Sequence, residues 1–190
     1  MRLFFGVPIE QPAALQLAEL SSRVPNQRGF NWIDERNWHI TLTFMGEVDG
    51  NAVNALCDLG EAVAANHQAC KITLEQLQWW PSVSKPRLLA CVSEIPGALN
   101  PMRKQLAQGL RELGVDFDGK PLRPHVTLMR LERGVLPMSY DLPAGAVSVD
   151  VESIALFSSE RNRGETYYRP IWEKELVPLP PQFKFKTNDQ

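Results

Sequence analysis

Two short segments of this chain carry side chains that can do chemistry together: His39-Ile40-Thr41-Leu42 and His125-Val126-Thr127-Leu128. Both read His-x-Thr-apolar, and they use two of the three histidines in the sequence. A neutral imidazole can take a proton and an imidazolium can give one near neutral pH, because the unperturbed pKa is about 6.5. A threonine hydroxyl can hydrogen-bond an oxyanion as charge grows on it in a transition state. Two such pairs facing each other would bracket a phosphate ester, with one imidazole as base, the other as acid and the two hydroxyls on the non-bridging oxygens. A single such string in a strand needs no functional explanation, since threonine favours strands and a half-exposed histidine is ordinary. The repetition carries the reading.

Both segments must sit on rigid elements for this to work, and both lie in runs that read as strands, Trp38–Phe44 and Arg123–Leu131. Residues two apart on a strand share a face. His39 and Thr41 therefore point one way while Ile40 and Leu42 point into a core, and His125, Thr127, Val126 and Leu128 repeat the pattern. Strict alternation places Arg130 on the face opposite His125 unless a bulge intervenes. The remaining chain reads as strands over Arg2–Val7, Ile72–Trp80, Arg87–Ser93, Val147–Phe157 and Thr166–Leu176. Helices are expected over Pro12–Val24, with Leu15, Ala18 and Leu20 inward, over Asn51–Asn66 with Asn51 as N-cap, and over Pro96–Leu113 with Gly114 as the stop. Pro25–Asn37 reads mostly as loop, and Arg161–Gly164 as the turn of the last hairpin. This order has too few alternating β–α units for a doubly wound sheet and predicts an α+β fold of antiparallel sheet covered by helices. The echo of the two motifs suggests two related lobes. We expect one bilobal domain over residues 1–177 and an extended tail over 178–190.

The bulk properties narrow the setting. The chain has 190 residues, 44% of them hydrophobic, and a net charge of −2, so no global basic field marks it as a protein that coats long RNA. A local cluster of cations suffices for an enzyme that grips one terminal phosphate. Three cysteines without a C-x-x-C spacing argue against a disulfide framework and for a reducing, cytoplasmic setting. No apolar run is long enough to span a membrane, and the opening Met1–Pro8 is too short and too early broken for a signal peptide. No histidine pair has helical metal spacing and no carboxylate lies within either motif, so neither a metal site nor a cofactor is expected.

The segments Asn37–Gly46 and Pro124–Arg130 resemble the two signature segments of the 2H phosphoesterase superfamily, and within it the LigT-like RNA 2′,3′-cyclic phosphodiesterases. The opening Arg2–Val7 and the closing Leu156–Ser159, Gly164 and Tyr168–Trp172 are similar to that branch too. The resemblance implies a bilobal α+β fold with pseudo-twofold symmetry and a site in the cleft between the lobes. It implies His39 as proton donor, His125 as proton acceptor, and Thr41, Thr127 and Arg130 as phosphate ligands. The implied reaction opens a cyclic phosphate by expelling the 3′ oxygen, leaving a 2′-phosphomonoester, with no metal. The implied partner is an RNA with a 2′,3′-cyclic phosphate end, tRNA fragments included, or a cyclic nucleotide. A monomer is expected.

Three other readings stay open on sequence. The same site run backwards would join RNA ends through a 2′,5′ linkage, a 2′,5′-oligonucleotide could be the substrate, or the protein could bind RNA ends without catalysis. Of the other candidates, His67 reads as a surface histidine at a helix end. The cations of Lys120–Arg133 and Arg161–Arg169 suit an RNA-guiding rim, and Trp32, Trp79, Trp80 and Tyr167 are candidates to stack a base.

Overall fold

The computed structural model describes residues 1–95, 97–162 and 165–180. Ten strands and three α-helices follow in the order β1 (Arg2–Pro8), α1 (Ala13–Ser22), β2 (Phe30–Trp32), β3 (His39–Glu47), α2 (Val53–Asn66), β4 (Cys70–Leu74), β5 (Gln76–Trp80), β6 (Leu88–Val92), α3 (Leu99–Glu112), β7 (His125–Leu131), β8 (Val147–Val151), β9 (Ser153–Asn162) and β10 (Glu165–Glu175). The expected α+β architecture is present. One sheet runs β10-β9-β1-β3-β7-β6-β5, with β2 also on β7, and a separate ribbon pairs β4 with β8.

The two motif strands meet at the centre of this sheet. They are antiparallel, with Ile40 opposite Val126, and each histidine stands at the start of its strand. From that junction β3 runs away along β1, while β7 runs away along β6 on one side and β2 on the other. The sheet thus has two halves, one around β3 and one around β7, each carrying one motif. One apolar core, from Leu3 and Phe5 through Ile40 and Leu42 to Val126, Leu128 and Met129, underlies both. In it α2 packs over β9 and β10, α3 over β3, and α1 against β8. The amphipathic pattern explains α3, which buries Leu99, Met102, Leu106 and Leu110 along one side and stops before Gly114, whose φ of 68° suits a residue without Cβ.

Several sequence expectations shift in detail. Leu15 is 62% exposed, and α1 buries Ala13, Ala14, Leu17, Leu20 and Ser21 instead. Asn51 does not cap α2. Asp49 accepts from the Asn51 backbone N–H and starts a 3₁₀ turn that leads into the helix. The segment read as loop contains β2, a three-residue strand too short to announce itself by periodicity. Two runs read as single strands, Ile72–Trp80 and Val147–Phe157, are each split: β4 and β8 form the small ribbon, while β5 and β9 join the main sheet. Arg163 and Gly164 of the expected turn, and residues 181–190 of the expected tail, lie outside the described residues.

Gly6 marks the tightest point of the half around β3. It pairs with Thr41 and Ala155 on its two sides, and a Cβ there would lie 2.8 Å from the Ile40 carbonyl oxygen and 3.4 Å from the rings of Phe4 and Phe157. A backbone oxygen cannot swing aside. Gly6→Ala should therefore lower stability by about 1–3 kcal/mol, the usual cost of overpacking, read as a fall in Tm. An unchanged Tm would show that β1 and β3 can separate there freely.

Candidate active site

The chemistry-bearing face of the sheet can be built from strand register. In the half around β7, His125 lies opposite Val92 and thence Gln76, Thr127 opposite Ala90 and Gln78, and Arg130 opposite Leu88 and Trp80. In the half around β3, His39 lies opposite Pro8, Thr41 opposite Gly6 and thence Ala155, and Phe44 opposite Phe4 and Phe157. Small residues, Ala90 on one side and Gly6 with Ala155 on the other, flank each threonine. They keep the floor of the site low where a phosphate would rest.

Arg130 is placed by a bulge. Leu89 pairs with Met129 but Ala90 pairs with Thr127, so Leu128 is an extra residue in β7. Leu128 and Met129 both turn into the core, each 0% exposed, and Arg130 returns to the face of His125 and Thr127. Strict alternation is thereby overturned for this residue. The same device appears in β3, where Phe5 pairs with Thr43 and Gly6 with Thr41, leaving Leu42 as the extra residue. The apolar fourth position of each motif is the bulge. At the place equivalent to Arg130 the first half carries Phe44, so the two halves match in backbone and differ in charge.

Both imidazoles are held in the same way. His39 Nδ1 lies 2.7 Å from the Asn37 carbonyl oxygen, and His125 Nδ1 lies 2.8 Å from the Arg123 carbonyl oxygen. A carbonyl only accepts, so each Nδ1 carries the hydrogen, and in the neutral ring Nε2 keeps its lone pair for chemistry. Asn37 anchors the first ring twice over, because its side-chain oxygen accepts from the Tyr168 backbone N–H at 2.9 Å. The Tyr168 ring stands edge-on to His39 with centroids 4.7 Å apart, and Phe4 and Phe157 lie at 4.6 and 5.4 Å. His125 instead meets Trp80, with ring centroids 4.4 Å apart.

These walls set the electrostatics. Burial among aromatic rings, with the charges of His125 and Arg130 adding to it, pushes the His39 pKa down to about 4. His125 is also lowered, first by burial and then by the cations Arg123 and Arg130. Arg130 thus lies near enough to both rings for its charge to disfavour protonating either. An anion bound beside the two rings would reverse these effects. We expect inorganic phosphate to raise both histidine titration midpoints, followed by NMR of the ring protons. Midpoints that stayed put at saturating phosphate would place the anion elsewhere. The sign for folding also follows. His39 takes up its proton near pH 6.5 in the unfolded chain and near 4 in the folded one, so its contribution to stability is lost as pH falls through that window.

The structure brings together His39, Thr41, His125, Thr127 and Arg130 on one face. Thr41, Thr127 and both histidines are half-buried, and Arg130 is exposed. The aromatic wall of Phe4, Phe157 and Tyr168 was not singled out from sequence, although alternation along β1 separates Phe4 from the core-facing Leu3 and Phe5. Among the described residues, no group of three His, Cys, Asp or Glu is placed to hold a metal ion, and no helix is long and apolar enough to cross a membrane. His67 caps the end of α2 and shares a hydrogen bond with Gln105. A depression of about 660 Å³ lined by α1 and residues of the 32–38 segment, among them Trp32, Asp34 and Trp38, contains neither motif histidine.

Comparison with known proteins bears on the family and the fold. The family model described as LigT like Phosphoesterase matches the chain twice, over residues 7–90 and 89–168, one match for each motif. An RNA 2′,3′-cyclic phosphodiesterase of Geobacillus stearothermophilus is 27% identical over 169 residues, covering 86% of this chain. The chain spans only about half of that relative, 54% of its length. The RNA 2′,3′-cyclic phosphodiesterase of Bacillus subtilis (strain 168) is 25% identical over 166 residues, covering 86% of this chain and 91% of the relative. Among solved structures, a protein of Thermus thermophilus superposes with a TM-score of 0.81 at 24% identity, over 94% of this chain and 99% of that one.

Proposed function

The chain belongs to the LigT-like phosphoesterase family, and from that premise we propose that it hydrolyses the 2′,3′-cyclic phosphate at an RNA end to a 2′-phosphomonoester, by acid–base catalysis without a metal. The observation that carries the reading is the pair of imidazoles. Each is fixed through Nδ1 to the carbonyl two residues before it, and each offers Nε2 on the same sheet face beside a threonine and a shared arginine. Two relatives named for this activity support the substrate.

In the proposed reaction His125 takes a proton from water, whose oxygen attacks phosphorus in line with the 3′ oxygen. The P–O3′ bond breaks, and His39 gives its proton to the departing oxygen. Thr41 and Thr127 donate hydrogen bonds to the non-bridging oxygens, and the Arg130 guanidinium balances their charge. His39 is neutral at pH 7 in the free protein, since burial holds its pKa near 4. The substrate anion supplies the field that lets it carry the proton. One imidazole must start charged and the other neutral, so kcat/KM should be bell-shaped in pH.

The test is to incubate the protein with a short RNA ending in a 2′,3′-cyclic phosphate, with and without EDTA, and to locate the product phosphate by phosphorus NMR. A 2′-phosphate at equal rate in both samples is expected. A 3′-phosphate would reject the orientation, and loss of activity in EDTA restored by a divalent metal would reject the metal-free mechanism. Thr41→Ala and Thr127→Ala should each lose about 1–3 kcal/mol of transition-state stabilisation, and Thr→Ser should recover most of it. A serine variant as poor as alanine would mean that the methyl group, by packing, is what the site requires.

A further inference from the structure

Resting on that reading, we infer that Asn37 is a positioning residue for His39: its side chain ties the turn whose carbonyl holds the imidazole to the strand whose ring walls it in, and so keeps Nε2 turned to the phosphate. The carbonyl is aimed first by the local chain. Asp34 caps a single 3₁₀ turn, Glu35–Asn37, by accepting from the Arg36 backbone N–H at 2.9 Å. The Asn37 N–H then donates to the Asp34 carbonyl at 2.8 Å, and the Trp38 N–H to the Glu35 carbonyl at 3.0 Å. The C=O and N–H of one trans peptide point opposite ways. The bond made by the Trp38 N–H therefore turns the Asn37 carbonyl out of the turn, to His39 Nδ1.

One 3₁₀ turn is a weak platform. Its hydrogen bonds are poorly aligned, none of its residues is buried, and Asp34, Glu35 and Arg36 are exposed. The Asn37 side chain supplies an anchor from outside. Its Oδ1 accepts from the Tyr168 backbone N–H at 2.9 Å, across 131 positions of the chain. The donor is an N–H, so the amide must present its oxygen there. Tyr168 belongs to β10, which pairs with β9 from Glu165 to Glu175 and is the firmer frame. The same tyrosine presents its ring edge-on to His39, with planes at 68°. The contacts close a circuit: imidazole to Asn37 carbonyl, Asn37 amide to Tyr168 backbone, Tyr168 ring back to imidazole. The carbonyl fixes rotation of the imidazole in its own plane, the tyrosine fixes its tilt, and both constraints pass through Asn37. In the other half Arg123 stands two residues before His125, and its side chain meets Trp80 instead, with the guanidinium 4.7 Å from the ring centroid.

With the anchor removed, the turn can swing and its carbonyl can leave Nδ1. The neutral ring is then free to carry its hydrogen on Nε2, and Nε2 loses its line to the reacting atoms. That carbonyl also works against the burial that lowers the His39 pKa, so its loss makes the ring harder still to charge.

The experiment measures kcat and KM on an RNA cyclic phosphate, together with the tautomer of each neutral imidazole by nitrogen NMR, in the wild type, Asn37→Ala and Asn37→Asp. Aspartate keeps an oxygen where the Tyr168 N–H needs one. Its charge bears on the binding of an anion, so the comparison is made on kcat at saturating substrate. Asn37→Ala should lose about 10- to 100-fold in kcat, the scale of a misplaced catalytic group, with KM little changed. Its His39 should become a mixture of tautomers, while His125 keeps the single Nδ1–H form of the wild type. The unchanged His125 separates a misdirected His39 from a general loss of structure. Asn37→Asp should recover most of kcat and the single His39 tautomer. Wild-type kcat in Asn37→Ala, a loss of kcat with His39 still wholly Nδ1–H, or an Asn37→Asp as slow as Asn37→Ala overturns the positioning role alone. A wild type that does not hydrolyse the cyclic phosphate overturns the function reading, and the role of Asn37 with it.

Discussion

His39→Ala and His125→Ala should each lower kcat on an RNA cyclic phosphate by about 10²- to 10⁴-fold, the scale of a positioned general acid or base. In the proposed mechanism the two act in one transition state, so the double variant should fall far short of the product of the singles. The replacements differ in their consequences for the fold. Alanine at position 39 leaves a gap among Phe4, Phe157 and Tyr168, whereas His125 touches the half-exposed Trp80. Thermal unfolding must therefore accompany the kinetics. The roles separate with a substrate whose leaving group is activated. Such a group needs no proton, so it should rescue His39→Ala and leave His125→Ala impaired. Preferential rescue of His125→Ala would reverse the assignment of donor and acceptor, and near-normal turnover by either single variant would remove that histidine from the mechanism.

Arg130→Ala should cost about 10²- to 10³-fold in kcat/KM, the size of loss seen when one preorganised donor to a developing oxyanion is removed. The expectation rests on the bulge at Leu128, which turns Arg130 to the face of His125 and Thr127, and on the reach of its charge to both imidazoles. Arg130→Lys keeps the charge but not the planar fork, so it should recover part of the loss. Removing the cation also lifts one cause of the depressed histidine pKa values, so the low-pH limb of the kcat/KM profile should move to higher pH in Arg130→Ala. A profile identical in shape and position to the wild type would show that Arg130 acts away from the two imidazoles.

How much of this was legible beforehand depends on the range of the interactions. The two motifs, their strands and the α+β class follow from local pattern, because side-chain alternation and helical periodicity are written over a few neighbouring residues. The splitting of Ile72–Trp80 and Val147–Phe157 was not legible. A strand that changes partners between two sheets keeps the same local composition throughout, and only the identity of the partner distinguishes Cys70–Leu74 from Gln76–Trp80. For the same reason the three residues of β2 passed as loop: they are a strand only because β7 has an open edge beyond its brief meeting with β3.

By itself the sequence singled out the groups to which we assign the chemistry, since His39, Thr41, His125 and Thr127 are marked by type and spacing alone. It also determined that each pair stands beside an apolar anchor on a strand. Tertiary structure alone decided that Arg130 joins them, because a bulge is a mismatch in count between two strands and neither strand records it. It alone decided the inequality of the two imidazoles. Each makes the same bond to the carbonyl two residues back, but the rings around His39 come from β1, β9 and β10, far away in the chain, while Trp80 reaches His125 from β5. Desolvation depends on everything that excludes water from a group, whatever its distance along the chain. A repeated motif can therefore announce a symmetric pair, and only the packing around it can make one ring harder to charge than the other.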